Sequence, residues 1–242
     1  MVAALFVRAD SVYKGLGVEC WDEGRDARSY TGLGPVICHP PCRTWGVMRH
    51  WPGAKDRPEE KALGPVAVGL CRAFGGVLEH PYQSGLWRAC GMPAPGGVRD
   101  AWGGFTLLVD QGWWGHPAPK PTYLYVVGCE PADIPAMPVQ VTRAGGRTLN
   151  LARSDREATP EPLARWLVAL ATQLHAPVVQ MHTVASYTGQ AEGQLHAAAR
   201  EESIAGGQLH RPRQVRAPEV KAAMGKLAAR KRSGFKEWAS SL

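Results

Sequence analysis

Residues 36–45 read Val-Ile-Cys-His-Pro-Pro-Cys-Arg-Thr-Trp. The β-branched pair Val36-Ile37 predicts a short buried strand, and Pro40-Pro41 ends it. Proline fixes φ at about −65° and removes a backbone donor, so two in succession make a stiff extended corner. In an open α/β sheet, ligands bind in the crevice outside the carboxyl ends of the strands. Cys42, placed there by a rigid corner, is a candidate nucleophile. The competing reading is a small apolar residue in a proline turn.

The rest of the chain supports a sheet. Residues 5–7, 17–21 and Val36–Cys38 read as strands, with a charged turn after Trp21. Residues 57–74 read as a helix: Pro58 suits the first turn, and Ala62, Leu63, Val66, Leu70 and Phe74 share a face. Gly64 and Pro65 speak against its first half. Gly75-Gly76 ends it, and Val77-Leu78 begins a short strand that stops at Glu79-His80-Pro81. Phe105–Asp110 and residues 123–127 read as further strands. Residues 159–174 read as a helix with Thr159 as N-cap, Pro160 at the first helical position and Leu163, Trp166, Leu167 and Leu170 as its apolar stripe. Strands alternating with helices predict an α/β fold: a Rossmann-like, mainly parallel sheet with flanking helices. The pattern dissolves after His175. The expected division is an α/β domain over residues 1–175 and a linker with a basic tail over 176–242. That tail is expected to be partly disordered or helical, with 191–203 and 218–232 helical only on binding.

Charge separates these two parts. From Ala205 onward there are nine Lys or Arg against two acids, which equals the chain's whole net charge of +7. A basic tail is the footprint of a nucleic-acid partner, and Arg211, Arg213, Arg230, Lys231 and Arg232 are its candidate DNA contacts. A merely solvated tail is the alternative. No apolar run reaches the roughly 18 residues of a membrane-spanning helix, so no membrane partner is expected. The N-terminus lacks a basic segment before an apolar core, so no signal peptide is expected and the cytoplasm is the expected location. The six cysteines follow no regular spacing, and no Cys-x-x-Cys occurs. They are expected to be reduced thiols. Cys38, His39 and Cys42, even joined by His80 and Cys90, lack the paired spacing of a zinc site, so no metal is expected.

Two strand ends, Pro-Pro-Cys and Glu79-His80-Pro81, would open at one sheet edge and bring a thiol and a carboxylate together. That pair suits attack on C6 of a pyrimidine ring. The thiolate adds, the acid holds N3 and the exocyclic group, and C5 becomes nucleophilic. In DNA the base must first be flipped out of the stack. Arg43 and His39 are the local cations that could lower the thiol's pKa. Residues 112–122 hold Trp113, Trp114, His116 and Lys120 in a Gly/Pro-rich loop. Such a loop could stack on bases and touch phosphate; taken alone, it fits an aromatic-packed Ω-loop equally well.

In this order the motifs resemble those of the cytosine-5 DNA methyltransferase family. Pro40-Pro41-Cys42 matches the family's Pro-Pro-Cys, whose cysteine is the nucleophile. Val77-Leu78-Glu79-His80-Pro81 matches the strand ending in Glu-Asn-Val, with His in place of Asn. Residues 116–122 lead into a strand ending Val127-Gly128, as the family's Pro-Gln-x-Arg-x-Arg loop does. Both arginines are missing, and only Lys120 keeps a charge. Arg156-Glu157-Ala158-Thr159-Pro160-Glu161 looks like the family's Arg-x-Leu-Thr-Pro-x-Glu helix start. The resemblance spans about residues 1–174 and is closest to compact members carried by phages and prophages.

The resemblance implies Cys42 and Glu79 as catalytic residues, and Arg43 and Lys120 as phosphate contacts. It implies S-adenosylmethionine as cofactor, near Phe6, Asp10, Asp22 and Pro40, with Asp22 on a ribose hydroxyl. The family's glycine-rich first loop is not kept: residues 5–11 contain no glycine. No sizeable target-recognition domain fits between Gly128 and Thr159. The alternative is a non-catalytic DNA-binding relative, a phage accessory or anti-restriction factor. A metal-dependent deaminase is disfavoured, because His-x-Glu with Pro-Cys-x-x-Cys is missing.

Deleting residues 205–242 should weaken DNA binding and flatten its dependence on salt, as measured by titration across salt concentrations. Unchanged affinity would leave the tail a solubiliser.

Overall fold

A computed structural model describes residues 1–50, 55, 57–140, 150–176, 179–180 and 214–215. The chain divides into two compact units, Met1–Pro177 and Val178–Leu242. The first is built on one six-stranded sheet of order β2-β1-β3-β4-β6-β5. Its strands are β1 (Ala3–Leu5), β2 (Glu19–Trp21), β3 (Val36–Cys38), β4 (Gly76–Pro81), β5 (Phe105–Asp110) and β6 (Pro121–Val127). The pairs β1–β2, β1–β3 and β3–β4 are parallel, and β6 is antiparallel to both β4 and β5. The sheet is therefore mixed, with β6 alone running against the other five strands. A parallel crossover needs a dozen or more residues, whereas residues 111–120 are only a loop and fold straight back.

Among the described residues there are four α-helices, α1 (Pro58–Phe74), α2 (Leu86–Ala89), α3 (Arg153–Glu157) and α4 (Glu161–Thr172), of which α1 and α4 pack on the sheet. The residues of β1, β3, β4 and β6 alternate between two cores. Ala4, Ile37, Val77, Leu124 and Val126 pack with Leu163, Leu167 and Leu170 of α4. Ala3, Leu5, Val36, Cys38 and Leu78 pack with Ala67, Val68 and Cys71 of α1. Burial on both faces is why β1 and β3 read as continuous apolar runs without alternation. In the second unit, β7 (Val179–Gln180) pairs antiparallel with β8 (Gln214–Val215). The expected helices at 191–203 and 218–232 lie outside the described residues, as do Arg211, Arg213, Arg230, Lys231 and Arg232. Among the described residues no helix is long and apolar enough to cross a membrane.

Helix α1 passes through Gly64 and Pro65 without a break, and both residues have a tertiary reason. A Cβ on Gly64 would lie 2.7 Å from the Trp45 indole nitrogen and 2.8 Å from a Leu86 methyl. Pro65 has no N–H for the carbonyl one helical turn earlier, that of Lys61. The Trp45 indole N–H donates to that carbonyl instead, at 2.9 Å. The two residues that weaken the helix as a sequence are thus the ones that fasten the loop behind the Pro-Pro-Cys corner. Helix α4 starts one residue later than expected, at Glu161, with Pro160 as its cap and Thr159 outside.

At the other end of α1 a buried ion pair ties three elements. Arg72 donates to Asp100 at 3.0 Å and to the Tyr125 hydroxyl at 3.0 Å, and its guanidinium lies 3.9 Å from the centre of the Trp102 ring. Tyr125 donates to the same carboxylate at 2.5 Å. A buried pair holds its place only with further hydrogen bonds; Asp100 also accepts from the Trp102 and Gly104 backbone N–H groups, and Arg72 donates to the Cys90 carbonyl.

Leu167 is fully buried between α4 and the sheet. Leu167→Ala should cost about 2–5 kcal/mol of unfolding free energy, read from the shift in the urea midpoint. A loss below about 1 kcal/mol would mean that α4 is not packed on this core.

Candidate functional site

The strand order reverses at β1. Its chain successor β2 lies on one side and β3 on the other, so the crevice between the carboxyl ends of β1 and β3 is a topological switch point, where open α/β sheets bind ligands. A cleft of about 470 Å³ opens there. Its walls come from the loop after β1, the Pro-Pro-Cys corner after β3, the end of β4, Lys120 ahead of β6, and residues 154–159. That volume is in the range of small-molecule sites.

The corner is pinned from both sides. The His39 backbone N–H donates to Leu5 at 3.0 Å, and the Cys42 carbonyl accepts from Trp45 and Gly46 at 3.1 and 2.7 Å. Cys42 is exposed on the cleft wall. The surrounding cleft nevertheless pushes its thiol pKa up by partial desolvation. The charge of Glu79 pushes it further up, and Lys120 opposes. The expected lowering by His39 and Arg43 does not occur. His39 turns away to Glu79 and Tyr13. Arg43 lines the cleft but is ion-paired with Glu60.

Glu79 sits at the cleft floor with its side chain 13% exposed. One carboxylate oxygen accepts from the Gln111 amide at 2.9 Å, and the other meets His39 Nδ1 at 3.1 Å. Burial alone would raise its pKa. The hydrogen bond from His39 and the charges of Lys120, His39 and His80 outweigh burial and hold it at about 2. Its neighbour His80 is fully buried. Burial holds the His80 ring at about 4, against the charge of Glu79 and the carbonyl of Pro41.

Phe6, Asp10, Pro40, Cys42, Arg43, Glu79 and Lys120 all line this one cleft. Although residues 5–11 lack glycine, the chain still makes a left-handed turn there, with Phe6 at φ 59°. A non-glycine residue in that region costs about 1–3 kcal/mol and tends to occur where a ligand or a turn demands it. Asp10 is paired with Arg8 at 2.8 Å, and Arg8 also reaches Glu157 at 3.3 Å across the cleft mouth.

Three expected site residues lie elsewhere. Asp22 is not on the cleft; it accepts from Lys14 at 2.9 Å and caps the turn at Gly24. Trp114 is buried in the core against Trp166, with ring centres 5.4 Å apart, and Trp113 packs beside it. Trp114 is thus a core side chain, as in a packed Ω-loop, whereas Trp113 is half-buried. Asp110 closes it by accepting from Gly112 and Lys120 at 2.8 and 2.9 Å. His116 is buried within the loop. Among the described residues no cluster of three His, Cys, Asp or Glu could hold a metal ion.

Tyr13 and Gln111 belong to no motif that marks them as site residues. Tyr13 reaches the site from a turn between β1 and β2, and Gln111 is 32 positions from the carboxylate it binds. No family model matches the chain, and no curated protein matches it.

Both His80 and Glu79 lie below their ordinary values of 6.5 and 4.5. The unfolded chain therefore takes up protons first, and acid favours unfolding. The His80 contribution is complete above about pH 6.5 and is lost as pH falls to about 4. The Glu79 contribution, on the order of 3 kcal/mol, is complete above about pH 4.5 and is lost towards 2. Urea midpoints at about pH 7, 5 and 3 should fall in sequence, and Glu79→Gln should flatten the lower part. A midpoint unchanged between pH 7 and 3 would contradict these ionisation states.

Proposed function

We propose that this protein is a Rossmann-like relative of the cytosine-5 DNA methyltransferases that modifies a pyrimidine base of DNA at C5. The observation that carries this reading is the meeting of the Cys42 thiol and the Glu79 carboxylate in one cleft at the switch point. The cleft would take a base flipped out of the duplex, since neither group could reach one inside the stack. The Cys42 sulfur forms a bond to C6. The C5=C6 pair shifts toward C4, and N3 takes up a proton to balance the one the thiol gives up. C5 is then nucleophilic. After substitution, C5 loses its proton to water, the C5=C6 bond re-forms as the sulfur leaves as thiolate, and N3 returns its proton to that thiolate. Glu79 holds the ring edge. Lys120 stands at the rim, its ammonium donating to the Ala158 carbonyl at 3.2 Å, where it would meet phosphate.

Phe6, Asp10 and Pro40 share the cleft with Cys42, which suits a cofactor beside the nucleophile, whereas Asp22 does not line the cleft and is bonded to Lys14. S-adenosylmethionine bound there would supply the methyl group. The basic tail would add sequence-independent contacts to the DNA backbone. A phage or prophage setting, with the host cytoplasm as the site of action, follows the resemblance alone.

The resting thiol, with its raised pKa, favours the second reading: a non-catalytic DNA-binding relative of the same fold. Trapping separates the two. Incubation with S-adenosylmethionine and DNA carrying 5-fluorocytosine should give a covalent adduct that resists denaturation. Cys42→Ala should abolish it without changing the unfolding midpoint. If the wild-type protein forms no adduct on such DNA while still binding it, the non-catalytic reading stands.

A further inference from the structure

His39 follows β3 directly, and its ring bridges two groups. Its Nε2 lies 2.9 Å from the Tyr13 hydroxyl and its Nδ1 lies 3.1 Å from Glu79 Oε2. Tyr13 is 1% exposed, and the two rings are tilted with centres 5.2 Å apart. An ionised carboxylate only accepts, so the proton of the Nδ1 contact must sit on the imidazole. In a neutral ring the other nitrogen is then an acceptor, and the Tyr13 hydroxyl must donate to it. Burial, and then the charge of Glu79, push the Tyr13 pKa well up, so that the hydroxyl keeps its proton to donate. A doubly protonated ring would instead donate to the Tyr13 oxygen and turn the hydroxyl proton away from its acceptor. In a neutral ring the donor chain has one direction: Tyr13 O–H to His39 Nε2, and His39 Nδ1–H to Glu79.

We propose that His39 is a positioning residue, locked by Tyr13 as the Nδ1–H tautomer, which presets Glu79 as an acceptor for a ring edge that offers N–H donors. Gln111 secures the other carboxylate oxygen through the amide it donates, and that amide also donates to Thr122 at 3.1 Å. Each carboxylate oxygen spends one lone-pair position on the protein and keeps another. Glu79 lines the cleft, so those remaining positions are available to a ligand there. An exocyclic amino group, or a ring nitrogen that carries a proton, satisfies them. A ring edge of acceptors alone leaves the carboxylate unpaired and is rejected. The other groups acting on Glu79 are Lys120 from the loop before β6, His80 on its own strand, and Cys42 and Tyr13, whose own pKa values it raises. The ligand part of this proposal rests on the pyrimidine reading of the cleft, whereas the tautomer and the state of Glu79 do not.

The test separates the two. Long-range proton–nitrogen NMR of the full-length protein at neutral pH reads the His39 tautomer directly. A neutral ring protonated at Nδ1 is expected; protonation at Nε2 or at both nitrogens would overturn the proposal. Carbon-detected titration of Glu79 is the second readout. Its midpoint should rise in His39→Leu and stay low in His39→Asn, which keeps a donor near the Nδ1 position. An unchanged midpoint in a folded His39→Leu protein would leave Lys120 as the group that holds Glu79, and would refute the role of His39. The third arm compares binding of oligonucleotides carrying cytosine or pyrimidin-2-one, which lacks the amino group. Wild type should favour cytosine on the order of tenfold or more, and His39→Leu should lose that preference. Equal binding by wild type, with the tautomer and titration as expected, would refute the ligand part alone.

Discussion

A carboxylate taken out of water must be met by donors, and Glu79 is met by three parts of the chain at once. His39 comes from the end of β3, Gln111 from the turn after β5, and the charge of Lys120 from the loop that leads into β6. Without these partners, burial would favour the neutral acid. With them the group is ionised, and the carboxyl ends of β3, β4 and β5 are bound with the amino end of β6 into one polar floor. The cleft's shape and its electrostatics thus depend on the same few hydrogen bonds.

A second constraint acts through rigidity. The thiol of Cys42 is useful only if its corner is held still, and the corner is held by α1. Pro65 withholds a helix donor, the Trp45 indole fills the place, and Gly64 lets the two surfaces touch. The Trp45 carbonyl in turn accepts from Gly85 at 2.9 Å, just ahead of α2. A defect in a helix as read from propensity becomes the attachment point of the loop that carries Cys42.

Much of the architecture was legible in the sequence. Val36–Cys38 and Phe105–Asp110 appear with the bounds their apolar runs suggested, and α1 starts one residue from its expected position. Period and flanking Gly/Pro residues carry this information locally. The direction of β6 was not read from its apolar run, because a strand's composition does not say which way it runs; the shortness of residues 111–120 decides that. The sequence leaves the Trp113-Trp114 pair open between two readings for a related reason. An aromatic pair in a Gly/Pro-rich loop has the same composition whether it faces a base or Trp166, and only packing distinguishes the two.

By itself the sequence determined the order of elements, the stiff Pro-Pro-Cys corner and the placing of Cys42 and Glu79 at the ends of neighbouring strands. These follow from backbone restriction and hydrophobic period, which act over a few residues. Tertiary structure alone decided which charges meet. It gave His39 to Glu79 and Tyr13 rather than to the thiol, gave Arg43 to Glu60, and took Asp22 away to Lys14. Such pairings join residues up to 40 positions apart and fall off within a few ångströms. The ionisation of the site is therefore a property of the folded cleft, whereas the presence of its two reactive groups is already written in the chain.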